Sequence, residues 1–252
     1  MIRSIDLNAD LGEGYGPWTM GDDAAMMEVV SSANIACGAH AGDPQMMARS
    51  MALACANGVA IGAHPGFADL AGFGRRRMQL SLPELANLIT YQTGAATAMA
   101  AAAGTRLTHF KLHGALSNMA SEDITIARTC FAAALVVQPD LRLLVLPQTA
   151  LEAAATDLRA EWRGEIFADR SYDDSGQLTD RALPGAVIHD PQAAAAHVLA
   201  MLRQGAIIAT SGRVLPARID TICVHGDSPS AVRIARHLRA ALEASGTRIA
   251  AV

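Results

Sequence analysis

His109-Phe110-Lys111-Leu112-His113-Gly114 is the stretch on which the fold turns. Read as a strand, with its period of two, it puts His109, Lys111 and His113 on one face and Phe110 and Leu112 on the other. A strand built that way lines a site with one face and a core with the other. Lys111 is the only lysine among the 20 Lys and Arg residues. A composition rich in Ala and Arg accounts for the scarcity of lysine, but not for where this one sits.

Outward from that strand, strand-like and helix-like stretches alternate, the pattern of an α/β fold with parallel strands. Strands are predicted near 4–8, 33–37, 59–63, 107–112, 141–146, 163–168 and 219–224. Helices are predicted near 22–31, 44–57, 82–103, 122–137, 148–160, 191–204 and 229–244. Asp43-Pro44, Asp190-Pro191 and Ser228-Pro229 each place a capping residue before a proline suited to the first turn. Ser81-Leu82-Pro83-Glu84 has capping-box spacing, and Asn57-Gly58 and Ala103-Gly104 end their helices. Seven such strands predict a seven-stranded β/α barrel spanning residues 1–252 as a single domain; an open doubly wound sheet is the competing architecture. The segment 169–190 lacks periodicity and reads as a functional loop or small hairpin. Residues 206–215 read as a hairpin turning at Ser211-Gly212.

Apolar residues make up 51% of the chain and charged ones 17%, the balance of a globular protein. The formal net charge is −4, and Arg75-Arg76-Arg77 is the only basic run, which argues against nucleic-acid binding. No apolar run is long enough to predict a membrane span. Four well-separated cysteines without a Cys-x-x-Cys pair, and an N-terminus that enters a strand without a signal-peptide pattern, predict a cytoplasmic protein with reduced thiols.

The titratable residues cluster just after the strands: Asn8, Asp10 and Glu13; His40 and Asp43; His64; Lys111 and His113; Glu165, Asp169 and Arg170; His225 and Asp227. In parallel α/β folds these strand ends share one rim, where ligands bind. Each residue also has a plainer reading. Asp43 serves equally as a helix cap, Asp10 as a turn residue, and Cys37 and Cys223 as small packing groups. A lone His at a strand end is more often structural, but four at one rim shift the balance. Asp10, His40 and His64 are suitable ligands for a divalent metal. Glu13 or His113 is placed to serve as general base towards water, and Lys111 to steady an oxyanion or phosphoryl group. The candidate substrate-binding set is Asn8, Arg76, Asp169, Arg170, His225 and Asp227, with the planar fork of Arg170 suited to a carboxylate. These parts suit hydrolysis of a C–N bond. The chain has no G-x-x-x-x-G-K-[ST] loop, dinucleotide fingerprint or G-x-S-x-G elbow.

Several blocks resemble one known family. Asp6-Leu-Asn-Ala-Asp-Leu-Gly-Glu-Gly14, Ser32-Ala-Asn-Ile-Ala-Cys-Gly-Ala-His-Ala-Gly-Asp-Pro44 and Gly62-Ala-His-Pro-Gly66 are similar to motifs of the LamB/YcsF family. So are Gly72-Phe-Gly-Arg-Arg76, His113-Gly-Ala-Leu116, Phe167-Ala-Asp-Arg170 and Thr221-Ile-Cys-Val-His-Gly-Asp227, and the match runs nearly end to end. Two positions depart from the family pattern. Leu112 stands where Pro precedes the His, with its side chain expected to point outward. Ser117 stands where Tyr follows Ala-Leu, which would alter the rim of the site.

The resemblance implies a seven-stranded barrel related to sugar-deacetylase and glycosidase barrels. It implies the A subunit of an ATP-dependent 5-oxoprolinase, which needs partner subunits B and C. The implied reaction consumes 5-oxo-L-proline, ATP and two waters and yields L-glutamate, ADP and phosphate. ATP would phosphorylate the lactam oxygen, with Lys111 and an Arg steadying the phosphate charge. Asp10 or Glu13 would orient water, and Arg170 would hold the substrate carboxylate. Two other readings compete. One is a stand-alone metal-dependent deacetylase, although an aromatic content of 4% argues against a wide sugar groove. The other is a non-catalytic subunit that binds a small acid.

Overall fold

A computed structural model describes residues 4–227 and 229–251. Seven parallel strands run in the order β1 (Ser4–Leu11), β2 (Ser32–Ala36), β3 (Ala60–His64), β4 (His109–Phe110), β5 (Arg142–Val145), β6 (Trp162–Phe167) and β9 (Thr221–His225). Pairing of β1 with β9 closes the barrel, with Asp6 opposite Thr221 and Asp10 opposite His225. The open-sheet alternative is therefore excluded. A short terminal strand, β10 (Arg248–Ile249), adds to β1 outside the ring.

The alternation along β1 shows how sequence becomes barrel. Ile5, Leu7 and Ala9 face the surrounding helices and are buried in the apolar layer. Asp6, Asn8 and Asp10 fall on the opposite face, inside the barrel, and are equally buried. The interior is thus polar, and every group in it needs a partner. Glycine makes room where that interior is tightest. A Cβ at Gly62 on β3 would run into the imidazole of His109 on the paired strand β4.

The helices are α1 (Asp23–Met27), α2 (Pro44–Ala56), α3 (Leu82–Ala102), α4 (Gly114–Glu122), α5 (Ile124–Val137), α6 (Ala150–Asp157), α7 (Pro191–Gln204) and α8 (Ala231–Ala244). Asp43 caps α2 through Gln45 N and Met46 N, Asp190 caps α7, and the Ser81–Glu84 capping box opens α3. Ser228 lies outside the described residues, and α8 begins at Ala231, two residues beyond the predicted start. Helix α4 is not among the predicted helices, and the predicted strand 107–112 pairs only over His109–Phe110. Beyond Phe110 the backbone keeps one bond to β3, Lys111 N to Ala63 O, and then turns into α4. Leu112 is buried in the apolar core cluster and also borders the cavity at the strand ends. The predicted hairpin is β7 (Ala206–Ile208) against β8 (Val214–Pro216). No helix among the described residues is long and apolar enough to cross a membrane.

Candidate active site

A cavity of about 420 Å³ opens at the C-terminal rim of the strands. Asp10, His64, Lys111, His113, Phe167 and His225 reach it from five strand ends, as expected where parallel strands share a direction. Its roof is the segment after β6. That segment is held down by bridges Arg170–Val187 and Tyr172–Leu178, and by Gln177, which exchanges hydrogen bonds with Ser121 on α4.

Below the cavity the barrel interior is one hydrogen-bonded network. Asp6 accepts from Ser31, Ser32 and Thr221. Asn8 donates to Glu165 and Thr221, and Asn34 donates to Asn8 and to Asp10 at 2.8 Å. His109 donates through Nε2 to Asn34 Oδ1 at 2.8 Å. Burial, with the Lys111 charge beside it, pulls the His109 imidazole down to about 3, so it is neutral. Lys111 Nζ tops the network, 2.8 Å from Asp10 Oδ1, 3.2 Å from Glu165 Oε1 and 2.9 Å from Cys223 Sγ. Burial opposes the ammonium charge, but Asp10 and Glu165 raise its pKa well above the ordinary lysine value. Burial likewise opposes the Asp10 charge, and His64 and Lys111 hold that carboxyl well below its usual range.

Beside this ion pair lies a second constellation. Glu13, His40, His64 and His113 are all buried and bring one ligand atom each within 4.8 Å of one another. Two of the tautomers are fixed by carbonyls, which can only accept. His64 Nδ1 donates to Lys111 O at 2.9 Å and His113 Nε2 donates to Phe73 O at 2.8 Å. The remaining nitrogens, His64 Nε2 and His113 Nδ1, lie 3.1 Å apart, and His64 Nε2 is also 3.4 Å from Asp10 Oδ2. Glu13 Oε1 and both nitrogens of His40 have no hydrogen-bond partner, although all are buried. Burial and neighbouring imidazoles push His40 and His113 well below the ordinary histidine value. Burial and the Asp10 carboxylate push Glu13 well above the carboxylate range. Such a set could hold a metal ion. Three imidazoles and a carboxylate suit a borderline first-row divalent ion better than magnesium or calcium. Gly66 and Gly74 let the covering loop approach, since a Cβ at either would crowd His40 at 2.9 and 2.7 Å. Gln92 on α3 clamps that loop through Gly66 N and O.

A third group lies across the cavity. His225 Nδ1 donates to Asp169, 2.9 Å from both carboxylate oxygens, and its ring stacks on Phe167. His225 Nε2 is left facing Asp10 Oδ2 at 4.0 Å. Burial disfavours the Asp169 charge, but His225 holds that carboxyl below its usual range.

The sequence-based candidates therefore divide. Asp10, Lys111, His113, Arg170 and His225 line the cavity. Asp169 acts through His225. Glu13 and His40 meet His64 and His113, whereas the compact ligand set omits Asp10, which is engaged by Lys111 and Asn34 instead. Asn8 is not at the cavity; it is consumed inside the barrel. Arg76 pairs with Asp69 outside the cavity, and Asp227 pairs with Arg75. Arg170 is buried, and its guanidinium donates to the backbone carbonyls of Ala186 and Thr179, so it fastens the roof. Cys223 is more than packing, since it touches the ammonium of Lys111. Sequence reasoning missed Asn34, Gln92 and Arg181, and Ser117 does line the cavity, as its departure suggested.

Residues 5–252 match the model of the LamB/YcsF family. The chain is 58% identical over 250 residues to the A subunit of 5-oxoprolinase from Ruegeria pomeroyi, covering 99% of each chain. The crystal structure of the lactam utilization protein from Thermus thermophilus superposes with a TM-score of 0.93 at 44% identity, covering 99% of this chain and 100% of that one. The catalytic domain of a peptidoglycan N-acetylglucosamine deacetylase from Eubacterium rectale shares only the fold. Its TM-score is 0.52 at 10% identity, covering 99% of this chain and 88% of that one. A match across nearly the whole sequence, with the same barrel beneath it, places the chain in the LamB/YcsF family.

Proposed function

We propose that this chain is the lactam-opening component of an ATP-dependent 5-oxoprolinase, acting with partner subunits B and C on 5-oxo-L-proline in the cytoplasm. The observation that carries the reading is the charge of Lys111 at the wall of a small cavity, between a buried Glu/His cluster and an Asp–His pair. Phe167 is the one Phe, Tyr or Trp lining that cavity, which suits a compact lactam better than an extended glycan. Four free cysteines fit a reducing compartment.

In this reading the lactam carbonyl lies towards Lys111, whose ammonium steadies the oxygen or a phosphoryl group that ATP has placed on it. Asp10 and Glu165 keep that ammonium charged and aimed. His225, oriented by Asp169, accepts a proton from the attacking water and returns one to the leaving nitrogen. Water adds to the ring carbonyl carbon, the C–N bond breaks and the nitrogen becomes the amino group; where the oxygen carries a phosphoryl group, the resulting acyl phosphate is hydrolysed by the second water to glutamate and phosphate. Glu13, His40, His64 and His113 would hold a divalent ion. Such an ion supplies Lewis-acid polarisation beside the reacting carbonyl.

The test is to combine the chain with both partner subunits, then measure glutamate release with and without ATP. ATP-dependent release that needs all three supports the reading. Metal-dependent, ATP-independent hydrolysis by the chain alone would favour a stand-alone amidohydrolase, the second reading that the His/Glu cluster motivates.

A further inference from the structure

Five cationic side chains, Arg75, Arg77, Lys111, Arg170 and Arg181, line the cavity against the carboxylates of Asp10, Glu122 and Asp180. Arg75 is paired with Asp227 at 2.5 Å, Arg77 with Glu122, and Lys111 with Asp10 and Glu165. Arg170 is spent on two carbonyls. Arg181, at the rim, makes no hydrogen bond or ion pair among the described residues. Its side chain is exposed at that rim. Partial enclosure and then Arg75 lower its pKa, whereas Asp227, Asp169 and Asp10 favour the charge; burial and Arg181 in turn pull Arg170 down to about 10. A guanidinium with no hydrogen-bonded partner at the rim of a cavity that Arg75 and Arg170 also line is placed to meet an anion.

The carrying segment is also built to hold it there. Arg170 grips Thr179 O and Ala186 O, the carbonyls on either side of Arg181 in the chain. The side chain of Asp180 accepts from Ala182 N, and Leu183 N donates to Asp180 O, closing the turn around it. Arg170 thus positions the backbone from which Arg181 reaches the cavity.

We propose that Arg181 binds the α-carboxylate of the lactam substrate and sets the preference for a ring that carries one, with Arg170 as its positioning residue. The inference rests on the proposed substrate but assigns a residue and a specificity beyond it. A planar fork meets a carboxylate with two parallel hydrogen bonds, whereas the buried ammonium of Lys111 is left for the reacting end of the ring.

Titration calorimetry on the full chain tests this with three probes: 5-oxo-L-proline, 2-pyrrolidinone (the same lactam without the carboxylate) and inorganic phosphate. The wild-type chain should bind 5-oxoproline more tightly than 2-pyrrolidinone. Arg181→Gln should weaken 5-oxoproline by roughly ten- to a hundredfold and leave 2-pyrrolidinone unchanged. Arg181→Lys should recover part of the loss, since it keeps the charge without the fork. A melting temperature equal to wild type shows that each variant is folded, and the ratio between the two lactams is immune to a general loosening of the site. Equal 5-oxoproline binding by wild type and Arg181→Gln would overturn the assignment while leaving the substrate intact. Selective loss of phosphate binding would give Arg181 to a phosphoryl group and overturn it too. Failure of the wild-type chain to bind either lactam would remove the substrate reading, and this inference with it.

Discussion

Lys111 carries a charge that its burial opposes and its neighbours require. Lys111→Met keeps the volume but leaves Asp10 and Glu165 facing each other without a counter-ion. Breaking such a buried pair costs about 3–5 kcal/mol, to be read from urea unfolding, and glutamate release by the reconstituted enzyme should vanish. Adding Glu165→Gln should recover much of the stability and none of the turnover, which separates the two roles. Near-normal turnover by Lys111→Met would remove it from the mechanism. At the His/Glu cluster, His40→Ala and Glu13→Gln should each lower the zinc or cobalt retained after dialysis, as read by elemental analysis, while Asp10→Asn retains it. Equal metal content in all three would dissolve the four-residue set. At Asp169 the folded carboxyl sits below its unfolded value because His225 outweighs burial. Its stabilisation is thus present above about pH 4 and is lost as the pH falls through the folded value. Asp169→Asn should therefore cost stability at pH 7, with the gap closing in acid; a gap independent of pH would refute the pairing. Much of this site was legible, because Asp10, Lys111 and His225 are titratable groups at strand ends. Asn34 and Gln92 were not, being neutral residues whose roles appear only once their partners are adjacent. Arg170 and Arg181 occupy one irregular loop and both border the cavity, and nothing in their spacing says which fork is held by carbonyls and which has none.

At the level of elements, strand β4 depends on a missing side chain in its neighbour. Gly62→Ala would push a methyl into His109, disturbing the bond from His109 to Asn34 and, through Asn34, Asp10. The cost should be about 1–3 kcal/mol, checked by thermal or chemical unfolding, and an unchanged midpoint would show that the imidazole moves freely. The roof over 169–190 depends on Arg170 in the same way. Arg170→Lys cannot span two carbonyls, so amide exchange over 179–186 should quicken while that of β6 holds. Strands and most helices could be read from alternation and caps. Helix α4 could not, because it begins at Gly114 without a side-chain cap bond and runs through Ser and Asn. The same junction explains the overlong strand at 107–112: the apolar alternation continues past the point where the backbone leaves the sheet.

For the whole molecule, closure was the feature hardest to foresee. The seven strands could be counted along the chain, but a barrel differs from an open sheet only by the pairing of β1 with β9, two segments at opposite ends of the sequence. The wall that results holds the chain's single lysine at the floor of the cavity, with only 5% of its side chain exposed. Its ammonium, held charged by Asp10 and Glu165, should resist an amine-acylating reagent while the barrel stays shut. Mass spectrometry of the peptide around residue 111 should show no adduct in native buffer and full modification in denaturant. The time course between those limits would clock how often the ring of strands comes apart.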